Sequence, residues 1–117
     1  EKVQTTTKQM AVNQGESYEL QVNAGNLKKG QAKIVTVNVN PEEMKIQNAS
    51  SFETEDTLKE GADGVTLLKY QPKKGVMVWK LTGSLERGES CETYQSIPVE
   101  AKKDGKTEIA YTMTEQS

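Results

Sequence analysis

Val76-Met77-Val78-Trp79-Lys80-Leu81-Thr82-Gly83-Ser84-Leu85-Glu86-Arg87-Gly88-Glu89-Ser90 is the stretch on which the reading of this chain turns. Met77, Trp79 and Leu81 share one parity, with Val78 and Lys80 between them. A strand here would carry the only tryptophan and two large apolar neighbours on one face. An indole flanked in this way is expected in the core, spanning two packed sheets. Leu85 to Ser90 then reads as a turn. Gly88 suits a positive φ, Leu85 plugs the end of a sandwich, and Glu89-Ser90 begins the next strand.

The same period of two recurs on both sides of that stretch, and helix-period patterns are almost absent. Lys2 to Val12 is a polar strand, threonine-rich at Thr5-Thr6-Thr7. Asn13-Gln14-Gly15-Glu16 is a turn. Tyr18, Leu20 and Val22 alternate with Glu19 and Gln21, and Asn23-Ala24-Gly25-Asn26 punctuates the next connection with Lys28-Lys29-Gly30. Ala32 to Asn40 is the strongest strand, with Val35, Val37 and Val39 on one face and Ile34 and Thr36 on the other.

Asn40-Pro41-Glu42-Glu43 breaks that strand, because proline fixes φ and restricts the residue before it. Met44 and Ile46 resume an edge-like strand, and Phe52 centres a further short one between Ser50 and Glu55. Asp56 to Glu60 reads as one helical turn and Gly61 to Gly64 as a tight turn. Val65 to Tyr70 and Val76 to Leu81 flank a loop of hairpin length. Cys91 to Ala101 and Thr107 to Thr114 read as a closing hairpin turned at Asp104-Gly105. The expected fold is all-β: an immunoglobulin-like β-sandwich of two antiparallel sheets with about eight or nine strands, in one domain of 117 residues. Its expected structural core includes Trp79, Leu81, Leu85, Gly88, Val35, Val37, Tyr18 and Leu20.

Composition fits a thin core. Hydrophobic residues make up 33% of the chain and aromatics 5%, against about 45–50% apolar usage in ordinary domains when Gly is counted. A two-layer sandwich needs only alternate residues of each strand to be apolar. Net charge is −2, from 15 basic and 17 acidic residues. No run of Lys and Arg exceeds two, so no phosphate-binding stripe is visible and nucleic acid is not an expected partner. No apolar run approaches the ~18–20 residues that span a bilayer, so no membrane insertion is expected. Glu1 opens the sequence without a methionine, which reads as an excised segment or a processed chain.

Chemistry-bearing constellations are sparse. With no histidine, the commonest general base and metal ligand is absent. The single cysteine, Cys91, allows no internal disulfide and reads as a small apolar side chain on a strand. Glu53, Glu55, Asp56, Glu60 and Asp63 fall in one loop-rich stretch, but their spacing matches no EF-hand loop, and a solvated loop is the plainer reading. Asn48-Ala49-Ser50 is formally a glycosylation acceptor. An amide crosslink from the last strand is excluded, because the last asparagine is Asn48. An ester between Thr5, Thr6 or Thr7 and Gln116 would have no histidine to assist it. No catalytic, cofactor-binding or metal-ligating residue is assigned, and no cofactor is expected.

The order of these segments resembles the conserved repeat domain of long bacterial surface proteins, an immunoglobulin-like module. The resemblance runs from about Gly15 to Thr114. It rests on Ser17-Tyr18-Glu19-Leu20-Gln21-Val22, on the valine strand Ile34-Val35-Thr36-Val37-Asn38-Val39, and on Pro41-Glu42-Glu43-Met44-Lys45-Ile46. Its most distinctive part is Trp79, Leu81, Leu85, Gly88, Glu89 and Ser90. The chain departs from the pattern at Asn40-Pro41-Glu42-Glu43-Met44, where the family has an Asp-Leu-Pro-like step, and in a closing strand without asparagine. Cohesin-like modules share the Pro-x-x-apolar step after a valine strand and are the rival resemblance. Either implies a non-enzymatic module outside a bacterial cell: a structural spacer or adhesion segment beside neighbouring modules, or a recognition module for a glycan or protein ligand. Exposed aromatics or an apolar patch near Tyr70, Tyr94 or Tyr111 would favour the recognition module, for a glycan or a partner protein.

Overall fold

Alternating apolar and polar residues become nine strands in the computed structural model, which describes residues 3–47, 60–61, 65–71, 73–83 and 92–116. They are β1 (Val3–Val12), β2 (Ser17–Asn26), β3 (Ala32–Asn38), β4 (Met44–Ile46), β5 (Glu60–Gly61), β6 (Val65–Gln71), β7 (Val76–Thr82), β8 (Glu92–Ala101) and β9 (Gly105–Gln116). One sheet has the order β1-β9-β3-β7-β6-β5 and the other β2-β8-β4, and every pair is antiparallel. There is no helix among the described residues, so none long and apolar enough to cross a membrane.

The all-β sandwich of two antiparallel sheets is therefore the architecture the alternation predicts. Its connections nest: β1 pairs with β9, β2 with β8 and β3 with β7. The chain crosses between sheets at each of its first four connections and at its last two. This nesting is a jelly-roll-like connectivity.

The core lies between the sheets. Val35 and Val37 of β3, Met77, Trp79 and Leu81 of β7, and Ile109 of β9 meet Leu20 and Val22 of β2, Met44 and Ile46 of β4, and Ile97 and Val99 of β8 in one buried cluster. Each such side chain contributes about 1.5–3 kcal/mol on burial. Thr107 is the buried polar member. Its hydroxyl donates to Glu43 Oε1 at 2.9 Å, which offsets the cost of taking it out of water.

Four connections gather at one end of the sandwich and are tied to one another. Gly15 N donates to Ala101 O at 2.9 Å, and Ala101 N to Glu16 O at 3.0 Å. Gln14 N donates to Asp104 Oδ1 at 2.7 Å. Lys102 donates through its backbone N to Glu43 O at 2.8 Å and through Nζ to Pro41 O at 2.9 Å. Val39 N donates to Gly75 O at 2.8 Å. Gly75 has φ 71°, and a Cβ there would run into the Val39 carbonyl, so both conformation and space require glycine.

Two readings of the sequence are corrected here. The Asp104-Gly105 step is not the turn of a closing hairpin: β8 and β9 lie in different sheets, and Asp104 spends its carboxylate on the Gln14 amide. The strands on either side look alike in sequence, and local periodicity does not say which sheet a strand joins. Asn23-Ala24-Gly25-Asn26 does not end β2. It is a bulge inside it, with Gly25 at φ 74° and Gly25 N donating to Asn23 Oδ1 at 2.7 Å. Burying Ala24 against the core keeps the chain in the sheet. At the end of the proposed helical turn, Glu60 is extended and pairs with Thr66. The hairpin between Val65 and Leu81 is present, with Gln71 opposite Val76 and a register shift between Leu67 and Lys69.

Candidate functional site

The strands that carry the core set also fix what each sheet presents to solvent. On β7 the parity that buries Met77, Trp79 and Leu81 turns Val76, Val78 and Lys80 outward. On β3 the parity that buries Val35 and Val37 turns out Ile34, Thr36 and Asn38. The cross-strand registers assemble these outward residues into three rows. One row is Thr5, Thr112, Thr36, Val78 and Lys69. A second is Val3, Thr114, Ile34, Lys80 and Thr66. A third is Thr7, Ala110, Asn38, Val76 and Gln71.

The result is a face five strands wide, about 19 Å across and about 14 Å between its outer rows. These three rows hold six threonines and two charges, Lys69 and Lys80 at the β6–β7 side; Glu108, beside Gln9, follows on the same parity of β9. Uncharged β-branched side chains suit binding for two reasons. They lose little rotamer freedom when covered, and no ion must be desolvated. Each threonine hydroxyl also offers one donor and two acceptor positions.

The outer face of the three-stranded sheet differs. Ser17 lies beside Glu100, and Glu100 beside Lys45; Glu19 lies beside Pro98 and Gln21 beside Ser96. Three of these seven residues are charged, so covering this face would cost more desolvation per unit area.

The residues chosen from the sequence fall mostly inside the sandwich. Trp79 is 3% exposed and sits between Val35 of β3 and Leu67 of β6 in the sheet register. Leu20, Val35, Val37 and Leu81 are buried. Tyr18 is half-buried against the core; its hydroxyl accepts from Asn13 N at 2.9 Å and donates to Glu16 Oε2 at 3.2 Å, fastening the first turn. Tyr70 and Tyr111 also pack on the core. Burial raises the Tyr111 phenol above its ordinary value. None of these aromatics is a surface platform. Leu85, Gly88, Cys91, Asn48 and most of the acidic stretch from Glu53 to Asp63 lie outside the described residues, as do the side chains of Glu60 and Tyr94. Among the described residues no group of three or more His, Cys, Asp or Glu side chains is placed to hold a metal ion.

Sequence reasoning set Ile34 and Thr36 on the face opposite Val35 and Val37 but did not assemble the rows. The available signal was that β3 and β7 are apolar at both parities, as in Lys33-Ile34-Val35-Thr36-Val37 and Val76-Met77-Val78-Trp79, which marks a sheet with two usable faces. Comparisons with protein-family models, with curated proteins and with solved structures returned no match to this chain.

Proposed function

We propose that this chain is a non-catalytic, extracellular β-sandwich module of a bacterial surface or secreted protein, and that it serves as an adhesion segment. The observation that carries the reading is the threonine-rich face spanning β1, β9, β3, β7 and β6, with two charges in its three central rows. The resemblance of the Trp79-to-Ser90 segment to surface-protein repeats supports the bacterial, extracellular setting.

Adhesion is preferred to a load-bearing spacer because of how the ends lie. Val3 pairs with Thr114, so the first and last strands run to the same end of the sandwich. Force applied through both would open the β1–β9 ladder one pair at a time from that end. A partner protein is preferred to a glycan, because Tyr18, Tyr70, Trp79 and Tyr111 are packed on the core and supply no stacking platform.

The test is binding of the immobilised protein to bacterial and host surface proteins and to a glycan array. Thr36→Lys/Thr112→Lys serves as the face variant, checked for folding by circular dichroism. The expected result is a protein ligand whose binding falls at least tenfold in the folded variant. A ligand bound equally by both proteins overturns the assignment of this face. Resistance to stretching like that of a shear-loaded domain, with no ligand bound, overturns adhesion in favour of a spacer.

A further inference from the structure

Among the described residues the two sheets have four edges, and three of them are blunted. There β4 is three residues long and β5 two, while β2 breaks its register between Asn23 and Asn26. Short length, bulges and charged side chains, lysine above all, are the usual guards against pairing with another chain. β1 is neither short nor bulged, and Lys8 is its single charge. Its register with β9 runs unbroken through ten pairs, from Val3 with Thr114 to Val12 with Gly105. Its sequence, Val-Gln-Thr-Thr-Thr-Lys-Gln-Met-Ala-Val, contains no Pro or Gly and one charge, Lys8. β9 uses one side of the β1 backbone, and β1 has no other neighbour in the sheet among the described residues. Residues Val3 to Gln9 are exposed at both parities, so the three-stranded sheet does not cover this part of the strand.

We infer that β1 is a pairing edge whose partner is β1 of a second copy, joined antiparallel about a two-fold axis. The charge pattern fits this occupant. Centred on Thr7, the pairing sets Lys8 opposite Thr6, Thr5 opposite Gln9 and Val3 opposite Ala11. Centred on Thr6, it sets Lys8 opposite Gln4 and Thr5 opposite Thr7. Neither register opposes the two lysines, and both form cross-strand pairs rich in threonine, which are favourable in sheets. The contact is isologous and closes at two copies, because the far edge of the same sheet is the two-residue β5. Strand pairing alone covers less than the roughly 800 Å² per partner of a durable interface. The dimer is therefore weak and concentration-dependent. The pairing makes one continuous sheet and extends the threonine face across the junction. It rests on the edge geometry and not on the adhesion reading.

Sedimentation velocity under reducing conditions, over a wide concentration series, tests it. The wild type should move from monomer to twice the monomer mass as concentration rises. Thr5→Lys/Thr7→Lys should remain monomeric, because either register then opposes two introduced lysines. Gln21→Lys on the guarded β2 edge should dimerise like the wild type. Amide exchange of the wild type gives a second readout that needs no variant: protection along β1 should rise with concentration while that along β2 stays constant. A wild type that is monomeric up to millimolar concentration overturns the proposal. So does a dimer indifferent to the lysines, and so does capture of a foreign extended peptide by β1 while the protein itself stays monomeric.

Discussion

The two halves of the β1–β9 ladder make the same backbone pairs in opposite surroundings. From Lys8 to Val12, opposite Ile109 to Gly105, the ladder lies against the core and is tied to the turns: Val12, Thr107 and Ile109 are buried, and Thr107 reaches Glu43. From Val3 to Thr7 every β1 residue is exposed, and the β9 partners from Thr114 to Ala110 are half-buried. Hydrogen bonding is regular throughout, so it does not decide which half holds. Net backbone hydrogen bonds contribute only about 0.5–1.5 kcal/mol each against water, whereas burying a large apolar side chain contributes about 1.5–3. The closed half should behave as part of the core and the open half as an extension that frays.

The largest effect should come from removing the support both halves share. Trp79→Ala should cost about 3–5 kcal/mol, measured by denaturant unfolding, and should unfold much of the population, since small domains are stable by only about 5–15 kcal/mol. A loss below about 1 kcal/mol would mean that the indole is not part of the core.

Next, two truncations on β9 separate the halves. Ile109→Ala, fully buried in the closed half, should cost about 2–5 kcal/mol. Met113→Ala, half-buried four residues further on, should cost about 1 kcal/mol. Equal losses would erase the distinction. In dilute protein, amides of the open half should also exchange faster than those from Met10 to Val12.

Thr107→Val should cost about 1 kcal/mol by deleting the hydroxyl that donates to Glu43. Its cost should vanish in a Glu43→Ala background if that bond is its cause, so a double-mutant cycle reads it directly.

The smallest effect sits where the cover ends. Tyr111 pairs with Thr6, and burial raises its pKa above 10.0. The phenol therefore ionises in the unfolded chain before it does in the folded one. Its contribution is fully present below about pH 10 and is lost as pH rises through the folded-state value. Tyr111→Phe should lose less stability between pH 9 and pH 11 than the wild type does, and identical slopes would show that Tyr111 adds nothing to the alkaline limb.

Much of this arrangement was legible in the chain. Met77, Trp79 and Leu81 share a parity in the sequence and are buried together in the structure. Tyr18, Leu20 and Val22 announced a half-buried strand, and Gln71 to Gly75 announced a hairpin. The candidate face was legible only in pieces. Ile34 and Thr36 read as lying opposite the valine face and Thr5 to Thr7 as part of a polar strand, but nothing local put Thr5, Thr112 and Thr36 into one row. Asp104-Gly105 misled for the same reason: it has the composition of a hairpin turn, and its carboxylate is used by Gln14, 90 positions earlier in the chain.

What the sequence by itself determined is the period of two, and with it the all-β class, the parity of each strand and the identity of the residues that seek the core. These follow from alternation of side chains along an extended backbone, which is a property of neighbours. Tertiary structure alone decided which sheet each strand joins, that β1 is a long and unbulged edge, and that its first half is exposed. Those outcomes depend on pairing between segments as distant as Val3 and Thr114, and on a three-stranded sheet being too narrow to cover a six-stranded one. Backbone hydrogen bonds are alike for every strand, so partner choice is set by how all the apolar faces are buried together, and that is a property of the whole chain.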